Sequence, residues 1–202
     1  MSTLKQGLLL DPKVTQKVFS GIERGALNKV NALVIHQTGA NTAQQTFNSY
    51  AKGGHGAHFL IDKKGAIYQT ARVTQKAYHV GKIKSKCYET KSCTKLQLQS
   101  AIQLLFQKGV PYSSRVSSLH RHEKAKPYPD RFPLNSDSLG IEIVGSYDTL
   151  KKQYEAISPL QNSSLKWLIN ELYTHFNITS ADVYRHPEVS YKMASEASSA
   201  TW

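Results

Sequence analysis

The sequence predicts a single domain of the α/β class. Short β-branched apolar runs that end at turn residues alternate along the chain with amphipathic helical stretches, and no internal repeat is visible. The 202 residues, 40% of them hydrophobic, are enough for one domain with a substantial core. No apolar run approaches the 18 or so residues that a membrane span needs, so stable membrane insertion is not expected.

The first strand is predicted within residues 30–39. An apolar run, Leu33 to Ile35, is followed by His36 and ends at the turn residues Thr38 and Gly39. This pattern places His36 at the edge of a sheet, where an imidazole can bind a metal. A lone histidine is more often a hydrogen-bonded core residue, so the assignment depends on partners elsewhere in the chain. The preceding residues 1–29 are expected to be irregular, with a short helix around residues 15–21.

A helix and a hairpin follow this strand. Asn41 and Thr42 are typical helix caps and predict a helix over residues 43–51 that ends before Gly53 and Gly54. Residues 57–61 and 66–69 then read as two antiparallel strands joined by a tight turn, Asp-Lys-Lys-Gly.

The middle of the chain is more polar. Residues 94–108 predict a helix because apolar residues recur near helical spacing before Gly109. Residues 111–135 are rich in Ser, Lys and Pro and are expected to form a long loop, which in a compact domain is usually functional or mobile.

The last third of the chain returns to regular elements. In residues 139–148 the apolar Leu139, Ile141 and Ile143 alternate with Gly140 and Glu142, which predicts a strand with Glu142 on the opposite face. Ser-Pro at 158–159 opens the longest helix, whose buried stripe runs from position 165 to 176. A short strand over 182–185 leads into His-Pro at 186–187, and the remaining tail is expected to be irregular.

The net charge is +12, with the densest basic cluster between residues 82 and 131, which indicates an anionic partner. Nucleic acid, acidic membranes and anionic cell-wall polymers all meet that description. No recognised nucleic-acid motif accompanies the charge, so no nucleic-acid partner is expected. The chain has two cysteines, Cys87 and Cys93, whose spacing permits a small disulfide loop or two free thiols.

Candidate metal ligands are found at strand ends. His36 and His186 each follow an apolar strand, and a catalytic zinc needs three protein ligands and an open position. After His186 the available carboxylates are Glu188 and Glu196. Glu188 follows His186 too closely to reach the same ion easily, whereas Glu196 has enough intervening chain to loop back.

Five segments together resemble a known family. The segments VIHQTG, GAHFLIDKKG, AYHVG, SDSLGIEIVG and a tail from RHPEVSYK to Glu196 occur in the same order in the zinc-dependent N-acetylmuramoyl-L-alanine amidases. The resemblance covers about residues 31–196, apart from an insertion at about 82–135. It implies one amidase domain over residues 1–202 with the fold of the peptidoglycan recognition proteins. That fold has a central mixed β-sheet flanked by helices and a Zn²⁺ cleft at the strand ends.

The resemblance also implies an activity and its residues. The expected reaction is hydrolysis of the amide between N-acetylmuramic acid and L-alanine in peptidoglycan or a muropeptide. His36 matches the first metal ligand, His186 the second, and Glu196 falls where the family usually has Asp or Cys. Glu142 matches the acidic residue proposed as general base in one branch, and Ala57 stands where the phage branch has a tyrosine.

Further residues have open roles. The family places a catalytic lysine two residues before the third ligand, where this chain has Ala194; Lys192 fills that role only if the loop runs differently. His79 is expected either to contact substrate or to have a structural role. His58 is expected either to contact substrate or, as the favoured alternative, to pack behind the site. In the insertion, a further histidine pair and three aromatic residues are candidates for substrate contact: His120, His122, Tyr112, Tyr128 and Phe132.

An active peptidoglycan amidase is the leading hypothesis, and a non-catalytic peptidoglycan-binding module is the rival. The N-terminus does not read as a signal peptide, so synthesis in the cytoplasm without a Sec signal is expected. The basic charge favours action in the bacterial periplasm or cell wall, as an antibacterial secreted effector or a phage-type endolysin rather than a recycling enzyme. An effector would require an immunity protein as partner.

Overall fold

The computed structural model describes residues 2–202, and within them seven strands form one mixed sheet. The strands of this sheet are β3 (Val14–Gln16), β4 (Ala32–Gly39), β5 (Phe59–Ile61), β6 (Ile67–Gln69), β7 (Ser138–Asp148), β8 (Gln153–Tyr154) and β9 (Val183–Arg185). Ahead of it, β1 (Thr3–Lys5) and β2 (Leu8–Leu10) form an antiparallel hairpin. The prediction of one α/β domain with a central mixed sheet is confirmed.

The sheet runs in the order β3-β6-β5-β7-β4-β9, with β8 paired to the end of β7. Neighbouring strands are parallel except for the β5–β6 hairpin and the β7–β8 pair. Parallel neighbours require crossover connections, and the chain supplies them as helices and long segments that cover both faces.

The helices are α1 (Ala43–Ala51), α2 (Lys86–Glu89), α3 (Lys95–Leu105), α4 (Tyr112–Lys124), α5 (Pro159–Phe176) and α6 (His186–Val189). The longest, α5, packs on one face of the sheet through Leu165, Leu168, Ile169 and Leu172, the stripe that the sequence predicts. The other face is covered by α1 and by the segment of residues 82–135. Both faces are therefore apolar cores, and a polar cleft lies where α1 and the 82–135 segment do not meet.

The pairing of the two central strands positions the polar residues. In β7, Leu139, Ile141 and Ile143 face α5, as the alternation predicts. Strands β4 and β7 are parallel and in register, so that His36 lies directly beside Glu142. Because alternate residues share a face, both side chains point away from α5 and toward the cleft.

The predicted helix over residues 15–21 is wrong. Val14–Gln16 is a strand that pairs with β6, and the helical character is limited to one 3-10 turn at Ser20–Ile22. Val14 is buried against the core opposite Ile67. The free edge of β6 determines this conformation, and a tertiary pairing partner of that kind is not visible in the local sequence.

The predicted loop over residues 111–135 is also wrong, because its first half is α4. The buried positions of this helix are Val116, Leu119 and Glu123, which have helical spacing. Glu123 is fully buried and accepts a hydrogen bond from Lys126 Nζ at 2.8 Å. A carboxylate on the core-facing stripe concealed the amphipathic pattern, and its pairing with lysine makes the burial tolerable.

The predicted helix over residues 94–108 is confirmed as α3, but its apolar stripe faces outward. Leu98, Ile102 and Phe106 are 40%, 43% and 60% exposed.

Just before this helix Cys87 and Cys93 form a disulfide, with Cα atoms 4.6 Å apart. Of the two states that the sequence permits, the structure has the disulfide. No helix in residues 2–202 combines the length and the apolar character that crossing a bilayer requires.

Candidate metal centre and cleft

Three predicted ligands converge at the ends of the central strands. His36 lies in β4, His186 follows β9 at the start of α6, and Glu196 comes from the tail. The Nδ1 atoms of the two histidines are 2.9 Å apart, and Glu196 Oε1 lies 2.9 Å from His186 Nδ1 and 3.5 Å from His36 Nδ1. All three residues are buried. Among residues 2–202 this is the group whose His and carboxylate atoms are close enough together to hold a metal ion.

The tautomer of His186 favours metal binding. Its Nε2–H donates to the carbonyl oxygen of Val80 at 3.0 Å, which leaves the lone pair of Nδ1 directed at Glu196 and His36. A metal-binding histidine commonly has its other nitrogen held by a carbonyl or carboxylate in this way.

The tautomer of His36 is set by His79. The hydroxyl of Ser138 donates to the Leu134 carbonyl at 2.7 Å, so both oxygens of Ser138 can act only as acceptors toward His79 Nε2, 3.4 Å away. His79 Nε2 therefore carries the proton, and His79 Nδ1 accepts from His36 Nε2–H at 3.1 Å. The lone pair of His36 Nδ1 is then directed into the ligand cluster.

Close packing holds His79 in place. Asn135 Oδ1 accepts hydrogen bonds from the backbone N–H groups of His79 and Val80, at 2.9 and 2.8 Å. On the other side is Gly140, where a Cβ atom would lie 2.8 Å from His79 Cγ. Glycine at this position gives the imidazole of His79 the space it needs to reach His36.

Burial and the neighbouring charges shift the pKa values of the candidate ligands in opposite directions. Burial, together with neighbouring His186, lowers the pKa of His36 to about 4, although the nearby Glu196 carboxylate favours the protonated form. For Glu196, burial would raise the pKa, but the close contacts with His186 and His36 outweigh it and hold the pKa at about 2. At neutral pH the cluster is thus a neutral His36 beside an ionised carboxylate, the protonation states that a metal cation requires.

His58 occupies the core and not the cleft surface. It is fully buried, its Nε2–H donates to the Gln75 carbonyl at 2.8 Å, and its Nδ1 accepts from the Gly140 N–H at 3.0 Å. Both ring nitrogens are therefore used within the protein. The prediction that His58 contacts substrate is therefore wrong. The alternative, that His58 packs behind the site, agrees with the structure, since the ring centroids of His58 and His79 are 5.8 Å apart.

The cleft beside the cluster is a cavity of about 410 Å³. Its lining comprises His36, Gln37, Thr38, Ala40, Gln45, Thr46, Ser49, Tyr50, His55, Gly56, Tyr78, His79, Glu142, Tyr154, His186, Lys192, Met193 and Glu196. The set includes His36, His79, Glu142, His186, Lys192 and Glu196, but neither His58 nor the candidates of the 82–135 segment. Most of the lining residues carry a polar group that can hydrogen-bond to a substrate.

Glu142 is the candidate base within the cleft. Burial, and to a lesser degree the negative charge of Glu196, raises its pKa to about 8, although Lys192 opposes the shift. Its Oε2 atom is buried and has no hydrogen-bond partner in the part of the chain that the structure describes. A carboxylate with a pKa near neutrality and an unused oxygen is suited to accept a proton from a bound molecule.

Two tyrosines of the cleft were missed by the sequence analysis. Burial raises the pKa values of Tyr50, from α1, and Tyr154, from β8, and nearby Glu142 contributes to both shifts. The Tyr50 hydroxyl also accepts from the Ala57 N–H at 3.3 Å, beside the position where the resemblance led us to look for a tyrosine. A tyrosine on the inner face of a helix reads as a core residue, so no local signal distinguishes it.

Lys192 is exposed and lines the cleft, so it lies in the same space as Glu142 and Glu196. Glu188 instead accepts from the Arg185 backbone N–H at 2.8 Å and caps α6. The other candidates of the 82–135 segment lie away from the metal cluster. His120 Nδ1 accepts from the Ile83 N–H, and His122 is exposed.

The three aromatic candidates differ in their surroundings. Phe132 is buried, and the half-buried Tyr128 donates to Asp182 at 2.6 Å. Tyr112 is the exposed member of the set, at 59%. Of the three, Tyr112 therefore has the surface needed to contact a large ligand.

Comparisons with known proteins bear on this geometry. A family model described as N-acetylmuramoyl-L-alanine amidase matches residues 26–200, which is most of the chain. No curated protein sequence matches the chain.

Solved structures share the fold at low sequence identity. A selenomethionine derivative of AmpD is 17% identical with a TM-score of 0.50, over 93% of this chain and 88% of that one. The endolysin N-acetylmuramoyl-L-alanine amidase LysCS from Clostridium intestinale URNW is 20% identical with a TM-score of 0.52, over 90% and 85%. AmpDh3 from Pseudomonas aeruginosa, solved in complex with an anhydromuramic pentapeptide, is 17% identical with a TM-score of 0.52, over 83% and 55%.

Proposed function

The chain belongs to the N-acetylmuramoyl-L-alanine amidase family, and from this premise we propose that it is a Zn²⁺-dependent enzyme of the bacterial cell wall. The bond cleaved is the amide between the lactyl group of N-acetylmuramic acid and L-alanine of the stem peptide. Support for a muropeptide substrate comes from the structural neighbour solved with an anhydromuramic pentapeptide.

The observation that carries the zinc proposal is the ligand cluster. His36 Nδ1, His186 Nδ1 and Glu196 Oε1 are three lone-pair donors between 2.9 and 3.5 Å apart, and the other ring nitrogen of each histidine is already hydrogen-bonded. Two histidines and a carboxylate are a known ligand set for catalytic zinc, and bonds of about 2.1 Å place ligand atoms at similar separations. The donor set therefore fits zinc, and Glu196 replaces the more usual Asp or Cys without loss of reach.

The chain's own residues carry the proton transfers. When bound, zinc supplies a water of lowered pKa and polarises the amide carbonyl. Glu142 accepts a proton from the attacking water as the new C–O bond forms. It then gives that proton to the alanine nitrogen as the C–N bond breaks, so that the products are a lactyl carboxylate and a stem peptide with a free amino group.

Cationic and phenolic groups of the cleft would stabilise the developing oxyanion. Lys192 lines the cavity close enough for its charge to lower the pKa of Glu142, and Tyr154 is a neutral hydrogen-bond donor because its pKa is raised to about 12. Donors directed at a forming negative charge contribute strongly in a site with little water. We assign the oxyanion role to Lys192 first, since it carries the full charge.

The test combines metal content with product analysis. Purified protein is expected to contain one zinc per chain and to release stem peptides from sacculi, as identified by mass spectrometry. His36→Ala is expected to lose both zinc and activity. Glu142→Gln is expected to keep zinc and lose at least a hundredfold in kcat, within the range that general bases contribute.

The control is His120→Ala, a histidine outside the cluster, which should retain both properties. Stoichiometric zinc in a wild-type protein that releases no stem peptide would favour a binding module over an enzyme. Full activity in Glu142→Gln would remove Glu142 as the base.

The site of action is proposed from charge and substrate. The net charge of +12 favours approach to an anionic envelope, and the disulfide is compatible with an oxidising periplasm. A secreted antibacterial effector, with a cognate immunity protein, and a phage-type endolysin both agree with these features. Expression directed to the periplasm of a sensitive host should cause lysis that His36→Ala abolishes; survival of the host would oppose both roles.

A further inference from the structure

Two aromatic rings meet where the 82–135 segment approaches the cleft. Tyr112, at the start of α4, and Tyr191, in the tail, contact edge to face with ring centroids 6.1 Å apart. A cation lies over each ring: Lys84 Nζ is 6.0 Å from the Tyr191 centroid, and the Arg115 guanidinium is 5.8 Å from that of Tyr112. We call these four residues the aromatic ridge.

The aromatic ridge is held in shape by bonds outside it. Lys84 Nζ donates to the Pro187 carbonyl at 2.8 Å, and Arg115 Nη1 donates to the Leu105 carbonyl at 2.6 Å. Both cations are thus fixed without any contribution from a ligand. Tyr112 nevertheless remains 59% exposed. A surface that is ordered but still open is preorganised for binding.

The aromatic ridge adjoins the cleft along the chain. Tyr191 directly precedes Lys192, whose side chain lines the cavity that contains Glu142 and the ligand cluster. A molecule that is bound at the cluster and extends past Lys192 would therefore reach Tyr191 first and Tyr112 next. Such a molecule would then contact the 82–135 segment, to which Tyr112 belongs.

The chemistry of the ridge indicates which molecule extends there. The C–H face of a pyranose ring is apolar and packs on an aromatic face, whereas the carboxylates of stem peptides pair with Lys and Arg. A peptidoglycan strand repeats both features along its length. A second copy of this chain is disfavoured as occupant, because residues 82–135 hold eleven of the 26 Lys and Arg but three of the 14 Asp and Glu.

We propose that the aromatic ridge binds the peptidoglycan strand beyond the unit that is cleaved, so that the polymer is preferred over soluble muropeptides as substrate. This inference rests on the proposed amidase function. It gives the 82–135 segment a role in substrate choice, separate from the chemistry at the metal cluster.

The experiment compares two substrates and two substitutions. Initial rates are measured on insoluble sacculi and on soluble N-acetylmuramoyl tripeptide, and the ratio of the two rates is the readout. Tyr112→Ala is expected to lower the sacculus-to-tripeptide ratio about tenfold, and Tyr112→Phe, which keeps the ring, to restore most of it. Leu160→Ala is the matched control, since Leu160 is 62% exposed on α5, on the opposite face of the sheet.

A binding assay separates this inference from the proposed function. Sedimentation of chelator-treated protein with sacculi reports binding without hydrolysis, and the bound fraction should fall in Tyr112→Ala and not in Leu160→Ala. An unchanged rate ratio together with an unchanged bound fraction would overturn the inference. If the wild type hydrolyses neither substrate, the proposed function fails, and the sedimentation result alone decides whether the aromatic ridge binds the wall.

Discussion

At the residue scale, the ligand cluster depends on the positions of two protons. His186 Nε2–H donates to the carbonyl of Val80, and His36 Nε2–H donates to His79 Nδ1. Each outer contact leaves a lone pair on Nδ1, so the ligands are prepared before a metal arrives. His79 would therefore act on a bound metal through His36, which is a positioning role distinct from substrate contact.

Substitution of His79 should weaken zinc binding. His79→Ala removes the acceptor for His36 Nε2–H, and we expect a 10- to 100-fold loss of zinc affinity, as is typical when an outer partner of a metal ligand is removed. In His79→Asn the side-chain oxygen can occupy the place of Nδ1, and affinity should recover in part. Competition with a chromogenic chelator measures both values. Equal affinity in the wild type and in His79→Ala would show that His36 needs no such partner.

His58 should make the protein sensitive to acid. Burial lowers its pKa from 6.5 to about 4, so the unfolded state binds a proton at pH values where the folded state does not. The stabilisation is complete above pH 6.5 and is lost as the pH falls toward 4. For this one group the loss is about 2 kcal/mol between pH 7 and pH 5.

Urea unfolding at these two pH values, with chelator present, measures the effect. His58→Gln should be less stable than the wild type at pH 7 but should lose less of its stability on acidification. His36 and His79 titrate in both proteins, so the difference between the two proteins reports on His58 and on its effect on neighbouring His79. Parallel pH dependence in the two proteins would contradict the assignment.

The three members of the ligand cluster were easier to recognise in the sequence than the rest of the cleft. His36, His186 and Glu196 follow recognisable strand ends or motif positions, and the structure brings them together. Tyr50 and Tyr154 were missed because their position depends on how α1 and β8 pack over the sheet. His58 and His79 look alike in sequence, and the hydrogen bonds that distinguish them come from distant residues.

At the element scale, prediction succeeded where one periodic pattern determines the structure. Strand β7 and helix α5 each have a continuous apolar face that matches its period, and both were found with nearly correct ends. Helix α4 was missed because buried Glu123 interrupts its pattern. The strand Val14–Gln16 was missed because its partner, β6, lies about 50 residues further along the chain.

The disulfide should stabilise the 82–135 segment locally. Closing a loop of this length raises the free energy of the unfolded chain, and so stabilises the folded protein, by about 2 kcal/mol. The double variant Cys87→Ala/Cys93→Ala should therefore melt several degrees lower. Differential scanning fluorimetry with and without reductant tests this, because reductant should lower the melting temperature of the wild type and leave the variant unchanged.

Zinc content provides the control for that experiment. Neither cysteine belongs to the ligand cluster, so both proteins should hold the same amount of metal. A variant that lost zinc would show that the 82–135 segment and the metal site unfold together.

At the scale of the whole molecule, charge is unevenly distributed. Most of the net charge of +12 belongs to residues 82–135, on the face of the sheet opposite α5. A positive field on the side of the cleft favours approach of an anionic polymer in a productive orientation. Screening by salt shortens the reach of this field to about 8 Å at physiological ionic strength.

Association with sacculi should therefore weaken with salt. We expect the bound fraction to fall several-fold between 50 and 300 mM NaCl, while hydrolysis of a small uncharged amide substrate changes little. Sedimentation assays over this range measure the effect. Charge-reversal of Lys108 and Lys124, both exposed, should reduce the slope, and reversal of Lys63 and Lys64, on the β5–β6 turn, serves as the control.

The in-register pairing of β4 with β7 links two properties that are often treated as separate. A slip of one residue would turn His36 toward α5 and at the same time expose Leu33 and Ile35 to the cleft. Errors in alignment of these strands would thus abolish the ligand cluster and the apolar core together. A molecule with a folded core should for this reason also have a correctly assembled ligand cluster. We therefore expect all of the folded protein to be competent to bind metal.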